Sequence, residues 1–303
     1  MSANSSTDER ILSEVHETYS AIAQSGVSSA HADEVAKAFG YAAAELAAVP
    51  DGSHMGLSCG NPIAAASIKE GEVVLDLGSG GGIDVFLAAK KVGPTGRVIG
   101  IDMSGDMIAL AERNAAKLNL QPPQVSFLHT SLTLPFPNPP LADASVDCVI
   151  SNCVLNLLPN AAKATALREV FRVLKPGGRI ALEDIVAKQA MPEDVRKDMA
   201  AYVGCVGGAV TRDVYEGFLH EAGFENVLMV DKKADLSVWF TTPDSNLTGV
   251  CCGTEPKATA PAGGACGASG GCGEKAAGLA RPSVDVNELV GSYSIYAVKP
   301  LTQ

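Results

Sequence analysis

The feature that most constrains the fold is a run of alternating strand and helix patterns between residues 73 and 186. Strand-like stretches read VVLDLG, RVIGIDM, VSFLHT, VDCVIS and GGRIALEDIV, and helical patterns such as GIDVFLAAKKV, GDMIALAERNAAKLN and ATALREVFRVLK alternate with them. Strands that alternate with helices form right-handed βαβ units, which give a parallel sheet covered by helices on both faces. The sequence therefore predicts an α/β, Rossmann-like sheet.

The segments around this core divide the chain further. ILSEVHETYSAIA and ADEVAKAFGYAAAELAAV have helical spacing, and Pro62 is placed to open a short helix because proline suits first helical positions. PEDVRKDMAAYVG and RDVYEGFLHEAG predict helices, and FENVLMV and GSYSIYAVKP predict strands, the last returning to the sheet. The expected organisation is an N-terminal helical segment and loop (1–55), a Rossmann-like domain (56–186), a C-terminal α+β substrate-binding lobe (187–248), a flexible Gly/Cys-rich linker (249–280) and a C-terminal strand (281–303).

Charge and composition exclude several classes of partner. The chain of 303 residues is 47% hydrophobic and carries a net charge of −11, so it lacks the basic surface of a nucleic-acid-binding protein. It has no apolar stretch near the ~18 residues of a membrane span, and its start, MSANSSTDER, is polar. We therefore expect a cytoplasmic monomer that binds neither nucleic acid nor membrane.

Eight cysteines stand out in a chain expected to be cytoplasmic. A reducing cytosol keeps thiols free, so structural disulfides are not expected, and the spacing matches no local zinc module. Any shared function must be assembled by the fold. The cysteines are residues 59, 148, 153, 205, 251, 252, 266 and 272.

The segment VLDLGSGGG, residues 74–82, follows the first strand and opens a helix. Its glycines let backbone N–H groups approach a ligand, but a dinucleotide site would look similar. Asp76, at the strand tip, suits a cationic ligand better than a pyrophosphate, although it could also cap a helix or loop. Asp102, at the end of the second strand, is placed to accept both hydroxyls of a ribose.

This D-x-G-x-G-G loop followed by an acidic strand end resembles the class I S-adenosylmethionine-dependent methyltransferases over roughly residues 70–186. The resemblance implies that the glycine loop holds the methionine part, that Asp102 holds the ribose, and that Met103 lies beside the adenine. The segment after the third strand, TSLTLPF, also packs near the adenine in that family. The implied cofactor-binding residues are Asp76, Gly78, Ser79, Gly80, Asp102, Met103, Ser131, Leu132 and Asn152.

The substrate side lacks a convincing general base after the fourth strand, where the sequence reads SNCVLNL. A nucleophile that already carries a lone pair would need none. Cys59, Cys153 and Cys205 each lie at a loop or element end, and all three can converge above the carboxyl ends of the strands. Three thiolates make a soft, trigonal cage that fits trivalent arsenic.

Three segments that contain cysteine carry a more specific resemblance: HMGLSCGNP, ISNCVLNL and AYVGCVGGA. With these segments, the glycine loop and SIYAVKP, the chain resembles the arsenite S-adenosylmethionine methyltransferase family over nearly residues 10–300. The resemblance implies that Cys59, Cys153 and Cys205 bind trivalent arsenic and carry the catalysis. It also implies a cysteine disulfide that thioredoxin or glutathione reduces. Many family members have a further N-terminal cysteine, which this chain lacks, so the disulfide relay and the final product stay open.

Two other functions remain compatible with the sequence. One is a small-molecule methyltransferase that acts on a quinol or carbon acid, although aromatic residues make up only 5% of the chain. The other is a non-catalytic protein that binds a metalloid or zinc through its thiols. Cys148, inside a strand, is expected to be a buried small hydrophobe. The cysteines at 251, 252, 266 and 272 either deliver arsenite to the inner three or have no role.

Overall fold

The computed structural model describes residues 3–25, 29–240 and 285–301. Four helices precede the sheet. Asn61 caps the last of them by accepting a hydrogen bond from the Ala64 N–H, and Pro62 occupies its first turn. The helix predicted to open at Pro62 is therefore confirmed. The bounds are α1 Ala3–Ser25, α2 Ser29–Ala38, α3 Ala43–Leu46 and α4 Pro62–Ala65.

The central elements follow the predicted alternation. They are β1 Val73–Leu77, α5 Ile83–Val92, β2 Arg97–Asp102, α6 Gly105–Lys117, β3 Val125–His129, β4 Val146–Asn152, a 3-10 turn Leu155–Leu157, α7 Asn160–Val173 and β5 Leu174–Ala187. The C-terminal elements are α8 Glu193–Lys197, α9 Met199–Val203, α10 Arg212–Ala222, β6 Glu225–Asp231, a 3-10 helix Leu236–Phe240, α11 Val286–Leu289 and β7 Val290–Val298.

The seven strands of the described ranges form one sheet in the order β3-β2-β1-β4-β5-β7-β6. Strands β1 to β5 pair in parallel, whereas β7 runs antiparallel to both β5 and β6. Separate apolar clusters cover the two faces of the sheet, one under α7 and α10 and the other under α5. The Rossmann-like fold with helices on both faces is thus confirmed, and the last strand returns to the sheet as expected.

Some element bounds differ from the expectation. The continuous helix expected over PEDVRKDMAAYVG is broken at Asp198, whose side chain accepts a hydrogen bond from the Ala200 N–H and starts a second helix. Helix α7 ends at Val173, two residues early, and β5 extends to fourteen residues. The linker expected at 249–280 lies outside the described residues. Across the described ranges, no helix is both long and apolar enough to cross a membrane.

Candidate methyl-transfer site

A cavity lies at the carboxyl ends of β1, β2 and β4, where ligands bind in open α/β sheets. Helix α1 covers it with Val15 and Tyr19, and the loop from Ser53 to Ser58 closes one side. Eight of the nine predicted cofactor residues line this cavity, namely Asp76, Gly78, Ser79, Gly80, Asp102, Met103, Leu132 and Asn152. Ser131 is not among the lining residues, and its hydroxyl bonds that of Thr133.

The glycine loop has a backbone that side chains would not tolerate. Gly78 has φ of 65°, and a Cβ built there would come within 2.5 Å of the Val154 side chain. Gly80 donates its N–H to Asp102 Oδ2 at 3.0 Å, and Ser104 donates its N–H to Oδ1 at 2.9 Å. These two bonds fix the Asp102 carboxylate at the cavity edge, while burial raises its pKa.

Two further carboxyl groups form the acidic floor of the cavity. Asp84, in the first turn of α5, accepts a hydrogen bond from the Tyr41 hydroxyl at 2.7 Å, and burial raises its pKa to about 7. Asp76 is 3% exposed, and burial together with the charges of Asp84 and Asp102 raises its pKa well above the usual range. A cationic group bound here would be stabilised by these carboxyls. Sequence reasoning missed both Asp84 and Tyr41, although an acidic residue just after the glycine loop was a usable signal.

Asn152 joins this acidic floor to the cysteine side of the site. Its amide nitrogen donates to the Tyr41 hydroxyl and to the Gly60 carbonyl, both at 2.9 Å, and approaches Asp84 at 3.4 Å. Its carbonyl accepts the Cys59 N–H at 3.1 Å. Because protein groups already occupy its hydrogen-bonding positions, Asn152 is built into the wall of the cavity.

The three predicted cysteines lie together at one end of the cavity. The Sγ atoms of Cys59 and Cys153 and a carboxylate oxygen of Asp184 all lie within 4.8 Å of one another. The Cys205 thiol forms a hydrogen bond with the Cys153 thiol and donates to the Cys153 carbonyl at 3.1 Å. All three are free, buried cysteines, and Cys153 also lines the cavity.

Hydrogen bonds and backbone conformation fix the positions of these three cysteines. Ser292, on β7, donates its hydroxyl to the Cys59 carbonyl at 2.5 Å, and Trp239 donates its indole N–H to the adjacent Ser58 carbonyl at 3.3 Å. Cys153 and Cys205 have φ of 61° and 65°, in the left-handed region that non-glycine residues rarely adopt. Such strain persists only where the surroundings impose it, and it clusters at functional sites.

The surroundings raise the pKa of all three thiols, which favours their protonated form. Burial raises the pKa of Cys59 to about 12. The hydrogen bond with Cys205 lowers the pKa of Cys153. The hydrogen bond with Cys59 and burial together raise it by more, so the pKa of Cys153 is raised overall. The bond with Cys153 and burial raise the pKa of Cys205. The thiolate is the metal-binding form of cysteine, so binding of a soft centre here would release these protons.

Asp184, in the middle of β5, was missed by sequence reasoning. It accepts hydrogen bonds from the Asn156 amide, the Ile185 N–H and the Tyr215 hydroxyl at 3.0, 2.9 and 3.1 Å. Burial raises its pKa to about 7. The buried ammonium of Lys163 interacts with its charge and with that of Cys205, and burial lowers the pKa of Lys163 to about 8.

A family model described as "Methyltransferase domain" matches residues 68–223, more than half of the chain. The chain belongs to this methyltransferase family. Two similar proteins, both named arsenite methyltransferase, come from Halobacterium salinarum (47% identity over 64% of this chain) and Aquipseudomonas alcaligenes (34% over 60%). The methyltransferase described here spans about half the length of each, 47% and 52% respectively.

A solved structure is similar over a larger share of the methyltransferase. The arsenic(III) S-adenosylmethionine methyltransferase of Chlamydomonas reinhardtii matches with a TM-score of 0.51 and 25% identity, covering 88% of this chain and 73% of that one. The family match, residues 68–223, includes the glycine loop that lines the cavity. Cys153 lines this cavity, and its thiol interacts with those of Cys59 and Cys205.

Proposed function

We propose that this methyltransferase transfers methyl groups from S-adenosylmethionine to trivalent arsenic held by Cys59, Cys153 and Cys205. The observation that carries the proposal is the meeting of these thiols, from three distant segments, at the end of the glycine-loop cavity. The names of the two similar proteins and of the Chlamydomonas structure support the same substrate.

Different residues of the cavity would bind different parts of the cofactor. The acidic floor of Asp76 and Asp84 suits the methionine ammonium, and Gly78, Ser79 and Gly80 line the cavity beside it, against the methionine part. Asp102 would accept the ribose hydroxyls, with Met103 and Leu132 packing on the adenine. This arrangement would direct the sulfonium methyl toward Cys153, the only one of the three cysteines that lines the cavity within the described ranges.

The reaction is an in-line displacement on the methyl carbon. The lone pair of thiolate-bound arsenic forms the new As–C bond, and the C–S bond breaks with its electron pair passing to sulfur, giving S-adenosylhomocysteine. Arsenic(III) needs no deprotonation, so the transfer requires no general base. Catalysis would therefore come from positioning of the two reactants.

The methyl transfer raises arsenic formally to the pentavalent state, so a reductive step must follow. Two of the three clustered sulfurs would each give up one electron to arsenic and join as a disulfide, returning arsenic to the trivalent state. A thiol reductant, thioredoxin or glutathione, would then restore the two thiols. Such reductants are abundant in the cytosol, so we also propose a cytoplasmic location, with the chain acting as a monomer.

The test is arsenic speciation after incubation with arsenite, S-adenosylmethionine and a thiol reductant. Methylated arsenicals are expected, and Cys153→Ser should abolish them while leaving S-adenosylhomocysteine binding unchanged. Cys148→Ser is the matched control, because that buried thiol lies in the middle of β4 away from the cluster. Labelled methyl groups on a quinol or catechol, with none on arsenic, would show that the substrate assignment is wrong.

A further inference from the structure

The thiol site contains a fourth donor that pyramidal arsenic does not require. Trivalent arsenic takes three sulfurs and keeps a lone pair in the fourth direction. A carboxylate oxygen of Asp184 nevertheless lies within 4.8 Å of both the Cys59 and Cys153 sulfurs. Two thiols and one carboxylate, all buried, thus lie close enough to hold one ion, and the Cys205 thiol, which interacts with that of Cys153, is the adjacent fourth donor. Sulfur and carboxylate ligands of this kind suit a tetrahedral, borderline-soft divalent cation.

We infer that Cys59, Cys153, Cys205 and Asp184 form a zinc site that shares its three thiols with the arsenic site. Zn²⁺ and arsenite would then exclude one another, and the carboxylate of Asp184 would distinguish them. It would bind zinc as the fourth ligand and would have no bonding role toward arsenic. The competition rests on the arsenic binding proposed above, whereas zinc binding itself requires no methyl transfer.

The surroundings of Asp184 hold it as a metal-ligating carboxylate is usually held. One oxygen, Oδ1, accepts from Asn156 and from the Ile185 N–H, whereas Oδ2 accepts from one group of the described residues, the Tyr215 hydroxyl. A carboxylate oxygen has two lone pairs, so Oδ2 keeps one for a ligand. Such outer hydrogen bonds orient first-shell ligands and are a regular part of metal sites.

A buried cation partly balances the charge of the site with zinc bound. Binding would release one proton from each thiol to solvent, leaving three thiolates and one carboxylate around Zn²⁺, a net charge of −2. The buried ammonium of Lys163, which interacts with Asp184 and Cys205, offsets one of these charges. Its own donors reach only the Gly208 carbonyl at 2.6 Å and the Asn160 side chain at 3.0 Å, so no other carboxylate neutralises it among its hydrogen-bonding partners in the described ranges.

The experiment uses the full chain with Cys251, Cys252, Cys266 and Cys272 replaced by serine, so that only the inner thiols can bind metal. The reduced protein is titrated with Zn²⁺ against a chromophoric chelator, and one equivalent should bind. Co²⁺ should give the intense visible bands of a tetrahedral site and thiolate-to-cobalt charge transfer. Arsenite should displace either metal in a one-to-one competition.

Asp184→Asn should weaken zinc binding by at least about tenfold and change arsenite affinity by less than about threefold. Glu183→Gln is the matched control. Glu183 is an equally buried carboxyl one residue away on β5, but its side chain bonds Ser294 and Lys232, so zinc affinity should be unchanged. Equal loss of zinc and arsenite binding in Asp184→Asn, or loss of neither, would overturn the inference.

Zinc-edge X-ray absorption of the serine-substituted chain identifies the zinc ligands directly and needs no Asp184 variant. The expected shell is three sulfurs at about 2.3 Å and one oxygen at about 2.0 Å. A two-sulfur shell, or zinc and arsenite bound together, would contradict the site. A chain that binds zinc as expected but forms no methylated arsenic would refute the proposed function while leaving this inference intact.

Discussion

The side-chain carbonyl of Asn152 accepts a hydrogen bond from the backbone N–H of Cys59, at 3.1 Å. The two residues are 93 positions apart, and Asn152 directly precedes Cys153. One amide therefore ties the loop that carries the first thiol to the strand end that carries the second. Its nitrogen reaches Tyr41 and the edge of Asp84, on the cofactor side of the cavity.

Asn152→Ala should weaken arsenite binding by about tenfold, because it leaves the buried Cys59 N–H without an acceptor, a cost of ~1–3 kcal/mol. Tyr41→Phe removes one partner of Asn152 but keeps the bond to Cys59, so its effect should be smaller. Quenching of the single tryptophan, Trp239, which bonds the carbonyl of Ser58, reports arsenite binding directly. Equal affinities in Asn152→Ala and the unsubstituted chain would show that this bond does not position Cys59.

Gly78→Ala should abolish cofactor binding. Its Cβ would lie 2.5 Å from the Val154 side chain, and its φ of 65° would also be strained. Gly217→Ala is the matched control, since a Cβ there meets nothing within 4 Å and the residue lies inside α10. Equilibrium binding of S-adenosylhomocysteine should be lost in the first variant and kept in the second. Retained binding in Gly78→Ala would mean that the loop can rearrange around the new side chain.

Much of the site could be predicted because its residues lie at ends of elements. The carboxyl ends of parallel strands meet at one edge of a sheet, so Asp102 and Cys153 are brought together by topology alone. Cys59 and Cys205 could be placed there because loops before and after the core fold over that edge. The sequence contained enough information to group these residues without any side-chain detail.

Other residues could not be assigned, for physical reasons specific to each. Asp184 lies mid-strand, and nothing in LEDIV indicates which of two adjacent acidic residues faces the thiols. Ser131 follows β3 as expected, but its hydroxyl turns toward Thr133 within the same turn. The break at Asp198 leaves the helical spacing on both sides unchanged, so periodicity alone does not reveal it.

Binding of the cationic cofactor should weaken as the pH falls from 8 to 6. Burial raises the pKa of Asp84 to about 7, while hydrogen bonds from Tyr41 and Asn152 oppose that rise. A bound ammonium favours the ionised carboxyl, which predominates above pH 7 and is lost as the pH falls below it. The affinity should therefore fall by up to about tenfold per pH unit. Isothermal titration with S-adenosylhomocysteine between pH 6 and 8 measures this. Asp84→Asn should bind more weakly with a flatter pH profile, and an unchanged slope would exclude Asp84 as the titrating group.

Cys205→Gly should unfold at higher urea concentration than Cys205→Ala, by about 1 kcal/mol in the free energy of unfolding, because alanine is strained at φ of 65° and glycine is not. Both variants remove the third thiol, so both should lose arsenite binding. The same two substitutions at Cys148 are the control and should give the opposite order. Cys148 lies inside β4, where glycine is less stable than alanine by about 0.5–1 kcal/mol. Equal stability of the two Cys205 variants would show that the left-handed backbone is not imposed by the fold. A more stable glycine variant would show that the left-handed backbone, which directs the Cys205 sulfur at its neighbours, lowers the stability of the fold.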